Sequence, residues 1–169
     1  CPNARMVLVG DGLRRRALGA LINELGLASR VSMPGMVALD EVADHLVKAD
    51  AYVCASQTET QGLALIEAMA IGLPCAAMDA PGSRDVITNE VDGLLTAPNP
   101  EALAAAMLRM AQDRALGQRL AVQARQVTQR YDPLQLTIRL LEVYRQTINT
   151  FRQLSTQREE YAMDAMSVE

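Results

Sequence analysis

Aromatic side chains and basic charge are scarce in this sequence. Its 169 residues include no tryptophan and one phenylalanine, aromatics make up 3% of the chain, and the formal net charge is −4. Proteins that bind single-stranded nucleic acid stack bases on aromatic side chains, and binding to duplexes or anionic membranes relies on clustered Lys and Arg. The composition therefore argues against a nucleic-acid partner.

Histidine and cysteine are also scarce, with His45 alone and three cysteines, Cys1, Cys54 and Cys75. Their spacing fits no metal site, and the single histidine lies in an amphipathic pattern that gives no Ser-His-Asp arrangement. We therefore expect neither a metal nor another cofactor. Cys54 and Cys75 lie in apolar runs typical of reduced core thiols, which indicates a cytoplasmic protein.

Long apolar runs are absent too. The longest uncharged stretch near the middle, residues 68–78, is too short to cross a bilayer and contains Gly-Leu-Pro at residues 72–74. No signal peptide is recognisable, and a start at Cys1 rather than Met indicates an excerpt of a longer polypeptide. With 50% hydrophobic and 21% charged residues, the chain has the composition of a globular domain.

Short β-like runs alternate with helical patterns along the sequence. Predicted strands cover residues 5–9, 31–33, 51–54, 75–78 and 94–95; predicted helices include residues 40–48, 62–72, 100–112, 114–131 and 133–150. This alternation predicts an α/β fold, a Rossmann-like and mostly parallel sheet flanked by helices, with a helical C-terminus. Asp40 is the predicted N-cap of the helix that it opens. We predict one domain over residues 1–150 and a helical or disordered tail over residues 151–169.

Four loops rich in Gly, Asp, Ser and Glu follow predicted strands. They are residues 10–12, 35–37, 56–61 and 79–84. In an open parallel sheet such loops share one edge, where ligands bind. The pattern therefore predicts a binding cleft at that edge.

Glu67 is the one charged residue in residues 62–78, which are otherwise apolar or small. Burying an unpaired carboxylate is costly, so we expect Glu67 to have a dedicated partner or to line a cavity. The alternative is a purely structural, buried helix carboxylate paired with an arginine such as Arg84. Glu59 stands eight positions earlier, in a loop that leads into a helix, where it could simply be a solvated acid or a cap. Two carboxylates around a helix start suit a ligand with hydroxyls and a phosphate, such as a nucleotide sugar.

Six segments occur in an order that resembles a known enzyme family. They are Val-Leu-Val-Gly-Asp-Gly at residues 7–12, Ala-Asp-Ala-Tyr-Val at 49–53, the Glu59 to Glu67 spacing with Glu-Ala-Met-Ala at 67–70, Gly-Leu-Pro at 72–74, Asp-Gly-Leu-Leu at 92–95 and Glu-Ala-Leu at 101–103. Over residues 5–144 the chain resembles the C-terminal, donor-binding half of retaining glycosyltransferases of family 4, which have the GT-B fold. The resemblance implies transfer of a hexosyl group from a nucleotide sugar to an acceptor hydroxyl.

The resemblance lends roles to matching positions. Glu59 matches the catalytic carboxylate that faces the donor hexose, and Glu67 matches the one that binds the ribose hydroxyls. The backbone amides of residues 61–63 match those that meet the sugar or diphosphate. The implied donor-binding set is Gly10, Gly12, Met36, Val37, Ser56, Thr60, Gln61, Gly62, Leu63 and Glu67.

The family's donor half opens with a strand whose following loop brings an Arg and a Lys to the diphosphate, and this sequence starts after that unit. The missing strand would be central, next to the strands near Val7 and Tyr52, so we expect a gap there. The expected partners are a nucleotide sugar and the N-terminal, acceptor-binding domain of the parent polypeptide, through which any peripheral membrane association would occur. The region after Tyr131 is expected to pack less tightly than the core.

Gln61 stands where the family usually has an aromatic residue. The segment Thr-Glu-Thr-Gln-Gly at residues 58–62 resembles a variant found in bacterial enzymes that glucosylate diacylglycerol, which favours UDP-glucose as the donor. Two alternatives stay open at this stage. One is a non-catalytic nucleotide or sugar-phosphate module that requires a partner. The other is a different GT-B enzyme, such as an epimerase or a phosphorylase, although Lys48, the only lysine, is predicted on a helix away from the loops.

Overall fold

The computed structural model describes residues 3–166, in which strands and helices alternate. In chain order the elements are β1 (Met6–Val9), α1 (Arg15–Glu24), β2 (Val31–Gly35), α2 (Leu39–Val47), β3 (Tyr52–Cys54), α3 (Leu63–Ile71), β4 (Cys75–Met78), α4 (Pro81–Val86), β5 (Leu94–Thr96), α5 (Pro100–Gln112), α6 (Arg114–Val127), a 3₁₀ helix (Thr128–Tyr131) and α7 (Pro133–Met166). All strand pairs are parallel. The predicted α/β class with flanking helices and a helical C-terminus is confirmed.

The strands form two separate parallel groups. One contains β1 and β2, and the other has the order β3-β4-β5. Strand β4 is central in the second group, where Ala76 is paired with Val53 on one side and with Leu94 on the other. All four of its residues are buried. A strand covered on both faces is typical of the middle of a parallel sheet.

Strands β1 and β3 belong to different groups and are not paired with each other. Among the described strands, β1 pairs only with β2 and β3 pairs only with β4. Val7 and Val9 of β1 are 51% and 41% exposed, which is unusual for β-branched residues of a parallel strand. The strand expected between Val7 and Tyr52 is not among the described strands, and its place between the two groups stays a prediction.

The core lies around β4 and β5, under helices α5 and α6. Its buried members are Ala76, Met78, Leu94, Leu103, Ala106, Met110, Leu116 and Leu120. Both helices begin with a side-chain cap: the Asn99 side chain accepts from the Ala102 amide, and Asp113 accepts from the Leu116 amide. These caps satisfy amides that a helix start otherwise leaves without a partner.

Two local predictions are wrong. Helix α2 begins at Leu39 rather than after Asp40, with the Ala38 amide donating to the Glu41 carboxylate at 2.9 Å. Asp40 therefore lies inside the first turn, where its charge favours the helix dipole without capping it. Residues 81–84, predicted as part of the loop over residues 79–84, belong to the short helix α4, which begins with Pro81.

The chain divides into two compact units, Cys1–Thr128 and Gln129–Glu169. The second unit contains α7, whose side chains are exposed from residue 133 to residue 154, as expected for loose packing after Tyr131. Helix α7 includes residues 151–166 of the predicted tail, and residues 167–169 lie outside the described residues. The domain boundary at residue 150 stays a prediction.

None of the helices within residues 3–166 combines the length and apolarity that a bilayer crossing requires.

Candidate functional site

The loop between β3 and α3 ends at a glycine that begins the helix. Gly62 has φ of +65°, the left-handed conformation that glycine adopts without strain, and it is buried. A β-carbon at this position would lie 3.1 Å from the Gly82 carbonyl oxygen and 3.1 Å from Cγ2 of Val86. The tight approach of α4 therefore fixes the start of α3.

Glu59 folds back over the backbone that follows it. Its Oε1 accepts hydrogen bonds from the amides of Gly62 at 2.9 Å, Thr60 at 3.2 Å and Gln61 at 3.4 Å. These bonds, the one from Gly62 foremost, hold the pKa of the Glu59 carboxyl below its ordinary value. No hydrogen bond from a described residue reaches Oε2, so one oxygen anchors the carboxylate and the other is open.

This capping arrangement changes the roles expected for the loop amides. The amides of Gln61 and Gly62 already bond to Glu59, so they are not free to meet a ligand. The next three amides, of Leu63, Ala64 and Leu65, have no acceptor within residues 3–166, and the first bond of the helix runs from the Ile66 amide to the Gly62 carbonyl. Free amides at the positive end of a helix dipole are suited to a phosphate.

Glu67 lies on the open face of α3, and the expectation that it is buried is wrong. Leu65, Ala68 and Met69 form the buried face of this helix, whereas Glu67 is exposed. The alternative of a carboxylate paired with Arg84 is excluded, because Arg84 forms its ion pair with Asp79. The Glu67 carboxylate has no hydrogen-bond or ion-pair partner among the described residues.

Tyr52 links the two carboxylates and was not singled out from the sequence. Its pKa is raised, first by burial, then by Cys54 and Cys75, and further by the charges of Glu59 and Glu67. Both carboxylates thus act electrostatically on one hydroxyl, as expected for groups at a shared site. A tyrosine that opens a strand normally indicates core packing, so the sequence offered no signal for this position.

The predicted glycines belong to the first strand pair. Gly10, with φ of +122°, donates its amide to the Gly35 carbonyl at 2.8 Å, which joins the ends of β1 and β2. Gly12 is exposed, and its amide donates to Asp11. Met36 is 75% exposed beside this junction, and Val37 is half-buried. On the other strand group, Ser56 is half-buried, whereas Thr60, Gln61 and Leu63 are exposed.

Arg15 is a basic residue whose structural role the sequence did not show. Its Nη2 donates to the Met33 carbonyl at 2.7 Å, and Nη1 lies 3.3 Å from the point that a β-carbon on Gly35 would occupy. Nη1 is buried and has no hydrogen-bond partner within the described residues. Arg15 therefore holds the turn beside Met36.

Over residues 1–127 the sequence matches the family described as glycosyl transferases group 1. The chain belongs to this family. Its fold accordingly corresponds to part of the GT-B architecture, as solved structures of such enzymes show.

Two sequence relatives illustrate the range of this glycosyltransferase family. Sulfoquinovosyl transferase SQD2 of Arabidopsis thaliana is 29% identical over 135 residues, which are 78% of this chain and 26% of the plant protein. Alpha-monoglucosyldiacylglycerol synthase of Acholeplasma laidlawii is 38% identical over 73 residues, which are 43% of this chain and 18% of that enzyme. The chain therefore spans about a quarter of the plant relative.

A solved structure places the same fold around a nucleotide. Anabaena HepE in complex with UDP is 27% identical to this glycosyltransferase chain and superposes with a TM-score of 0.79. The match covers 85% of this chain and 41% of HepE. HepE has also been solved in complex with UDP-glucose.

The side chains that commonly bind metals do not cluster in the described part of this glycosyltransferase chain. No three His, Cys, Asp or Glu residues within residues 3–166 come close enough together to hold an ion. Of the two cysteines in this range, Cys75 is buried and Cys54 is half-buried, and both are free thiols. The absence of a cofactor stays a prediction.

Proposed function

We propose that this chain is the C-terminal, donor-binding part of a retaining glycosyltransferase of family 4. The intact enzyme transfers a hexosyl group from a nucleoside diphosphate sugar, preferably UDP-glucose, to an acceptor hydroxyl. The observation that carries the proposal is the amino end of α3, where three unpartnered amides lie beside the open carboxylate oxygen of Glu59 and the exposed Glu67.

Each group of the donor has a matching group at this helix. The diphosphate accepts from the amides of Leu63 and its two successors, where the helix dipole favours an anion. The open Oε2 of Glu59 accepts from a hexose hydroxyl, and Glu67 accepts from the ribose hydroxyls. Glu67 is suited to this task because the protein gives it no other partner. The exposed backbone around Met36 and Val37 borders the base.

Charge determines what the rest of the polypeptide must supply. A diphosphate brings about two negative charges to a place that already has Glu59 and Glu67. Arg84 is paired with Asp79 and so does not balance them. We propose that a strand from elsewhere in the polypeptide fills the gap between β1 and β3 and that its loop brings cations to the diphosphate. Catalysis then belongs to the whole enzyme rather than to this portion.

The proposed reaction proceeds on one face of the sugar. The bond from the anomeric carbon to the diphosphate oxygen breaks, and the acceptor oxygen forms a bond to the same carbon from the same side. The acceptor proton passes to the departing diphosphate oxygen, so no protein nucleophile is needed. Glu59 orients the hexose through its fixed carboxylate, and preorganised groups of this kind lower the barrier without moving during the reaction.

The preference for UDP-glucose has support from two relatives. HepE is seen with UDP and with UDP-glucose, and one relative is named a monoglucosyldiacylglycerol synthase. The acceptor is held by the N-terminal part of the intact enzyme, through which a lipid acceptor at a membrane surface could be reached. A non-catalytic module is not favoured, because the named relatives are transferases or synthases.

Calorimetric titration with UDP, UDP-glucose, GDP and GDP-mannose tests the proposal. Saturable binding of the uridine compounds is expected. Glu67→Ala should weaken that binding roughly ten- to a hundredfold, because a hydrogen bond to a charged group contributes about 1.5–3 kcal/mol. Glu142→Ala, which removes an exposed carboxylate from α7, is the matched control.

Equal affinity of the wild type and Glu67→Ala would contradict the ribose assignment. If the folded chain binds none of the four compounds, the same titration of the intact enzyme decides, and failure there would end the proposal. In the intact enzyme Glu67→Ala should raise the donor KM, whereas Glu59→Ala should lower kcat.

A further inference from the structure

Gly82 lies in direct backbone contact with the loop that contains Glu59. It is buried near the start of α4, and its amide donates to the Glu59 carbonyl at 2.9 Å. This bond joins two segments that are far apart in the sequence. It fixes the main chain of the residue whose carboxylate caps α3.

No side chain fits at Gly82. A β-carbon there would lie 2.7 Å from the carbonyl carbon of Thr60, 2.8 Å from the Glu59 oxygen and 2.9 Å from the Gln61 nitrogen. All three are backbone atoms, so no flexible side-chain end can move aside. The φ of Gly82 is not in the left-handed region, so the restriction is purely one of space.

The contact is made of backbone from both sides. Gly62, at the other end of the same loop, approaches the Gly82 carbonyl so closely that its own β-carbon would lie 3.1 Å from that oxygen. The two glycines therefore let the backbone of residues 59–62 pack directly against the first turn of α4. Added volume at position 82 must displace one segment relative to the other.

The segment around Gly82, from Asp79 to Arg84, is the more firmly held of the two segments. The Asp79 amide donates to the Thr96 carbonyl of β5 at 2.8 Å, and the Asp79 carboxylate forms an ion pair with Arg84 across the turn. Apart from its bond to the Gly82 amide, the loop of Glu59 is held by the Glu59 carboxylate, which accepts from the loop's own following amides, and by Gln57, whose Nε2 donates to the Pro98 carbonyl at 3.3 Å. A clash at Gly82 is therefore relieved by movement of the loop.

We propose that Gly82 is a positioning residue for Glu59 and that recognition of the hexose, rather than of the nucleotide, depends on it. The inference rests on the proposed function for the ligand, because Glu59 faces the hexose only if the chain binds a nucleotide sugar. Its structural part, the position of the Glu59 carboxylate, can be measured without any ligand.

The ligand-free test is the titration of the Glu59 carboxyl followed by ¹³C NMR in the wild type and in Gly82→Ala. The wild-type pKa should lie below the ordinary range for glutamate. In Gly82→Ala it should rise toward that range, because the displaced loop loses hydrogen bonds from the amides of Gly62 and Gln61. Gly117→Ala is the control: Gly117 is also buried, but its β-carbon would meet neighbours at ordinary distances of 3.8 and 3.9 Å. An unchanged Glu59 pKa in a folded Gly82→Ala chain would overturn the proposal.

Asp79→Asn provides a second variant in case Gly82→Ala does not fold. It loosens the turn while removing a negative charge, and that charge change by itself would lower the pKa of Glu59. A raised pKa in Asp79→Asn can therefore come only from movement of the carboxylate, as the proposal predicts. A lowered or unchanged pKa would contradict it.

Ligand binding tests the second half of the proposal. Gly82→Ala should keep its affinity for UDP within about twofold and lose roughly tenfold or more in affinity for UDP-glucose relative to UDP. Equal weakening for both compounds would indicate general destabilisation and overturn the hexose-specific role. If the wild type binds neither compound, the proposed function fails, while the NMR titration still decides whether Gly82 positions Glu59.

Discussion

Strands β4 and β1 both belong to parallel sheets, but β4 is buried whereas β1 is partly exposed. β4 has a strand on each side, and all of its residues are buried. β1 has one neighbour among the described strands, and it exposes Val7 and Val9. Val7 and Val9 alternate with the less exposed Met6 and Leu8, so they lie on one face of the sheet, and that face of β1 is open. We call the segment from β3 to α6 the covered half of the chain and the segment from β1 to β2 the open half.

Helix α3 has one covered face and one open face. Its covered face has Leu65, Ala68 and Met69, and its open face has Leu63, which is 61% exposed, beside Glu67. Because nearly every residue of this helix is apolar, its sequence is that of a helix covered all round. The open face therefore lies where the donor and the remaining chain are proposed to bind.

The largest contrast between the halves is expected in stability. Leu120, fully buried in α6, should cost about 2–5 kcal/mol of unfolding free energy when replaced by alanine. Leu21 in α1 is 47% exposed, and its replacement by alanine should cost less than about 1 kcal/mol. Denaturant unfolding of both variants measures the two losses of unfolding free energy, and equal losses would contradict the difference between the covered and the open half.

Thiol reactivity gives the next largest effect. Cys75 in β4 is fully buried, and burial raises the pKa of its thiol, followed by the effects of Asp92 and Cys54. Cys54 is only half-buried and lies in β3, an edge strand of its group. In a Cys1→Ser background, iodoacetamide should modify Cys54 at least about a hundredfold faster than Cys75, because only an accessible thiolate reacts. Mass spectrometry of the two sites over time measures this ratio, and comparable rates would mean that β4 is not covered.

The helix starts differ by smaller amounts. Asp113 caps α6, so Asp113→Ala should cost about 1 kcal/mol, and Asp113→Asn, which keeps an acceptor, should cost much less. The N-cap of α1, Arg14, provides no side-chain cap. Arg14 has helical backbone angles, φ −87° and ψ −6°, in which an Asn side chain cannot cap the helix, so Arg14→Asn should change stability by less than about 0.5 kcal/mol. Thermal unfolding of the three variants tests this, and a loss in Arg14→Asn as large as that in Asp113→Ala would contradict it.

The smallest effect is expected at a buried hydroxyl. Ser83 is fully buried, and its Oγ has no hydrogen-bond partner within the described residues. Ser83→Ala should be neutral or stabilising by up to about 1 kcal/mol, because it removes an unpaired polar group. Thr128→Val is the contrasting variant: the Thr128 hydroxyl donates to the Arg125 carbonyl at 3.0 Å, and its loss should destabilise by about 1 kcal/mol. Calorimetric unfolding that ranks the two variants in the opposite order would show that Ser83 has a partner.

The sequence predicted those elements whose signals are local. Gly62 and Gly72 were expected to bound α3, and both adopt the left-handed conformation at its two ends. The alternation of short apolar runs and helical patterns was enough for the α/β class. The strand expected between Val7 and Tyr52 rests on the family resemblance alone and stays a prediction.

The failures depend on neighbours that a sequence does not reveal. The apolar surroundings of Glu67 predicted burial, but burial also requires an element to cover that face of α3. Arg84 forms its ion pair with Asp79, five residues before it, and not with Glu67, because the turn between them brings the Asp79 carboxylate within reach. The roles of Gly82 and Tyr52 arise from contacts between separate segments, so neither position has a distinctive local pattern.

The ¹⁵N–¹H NMR spectrum of this chain during titration with UDP and UDP-glucose tests whether the donor binds at the amino end of α3. The largest shifts are expected at the amides of Leu63, Ala64 and Leu65, and UDP-glucose should additionally move the signals of the Glu59 loop. Saturable binding whose shifts lie elsewhere, for example around Arg5 and Arg30 at the opposite end of β1 and β2, would contradict it.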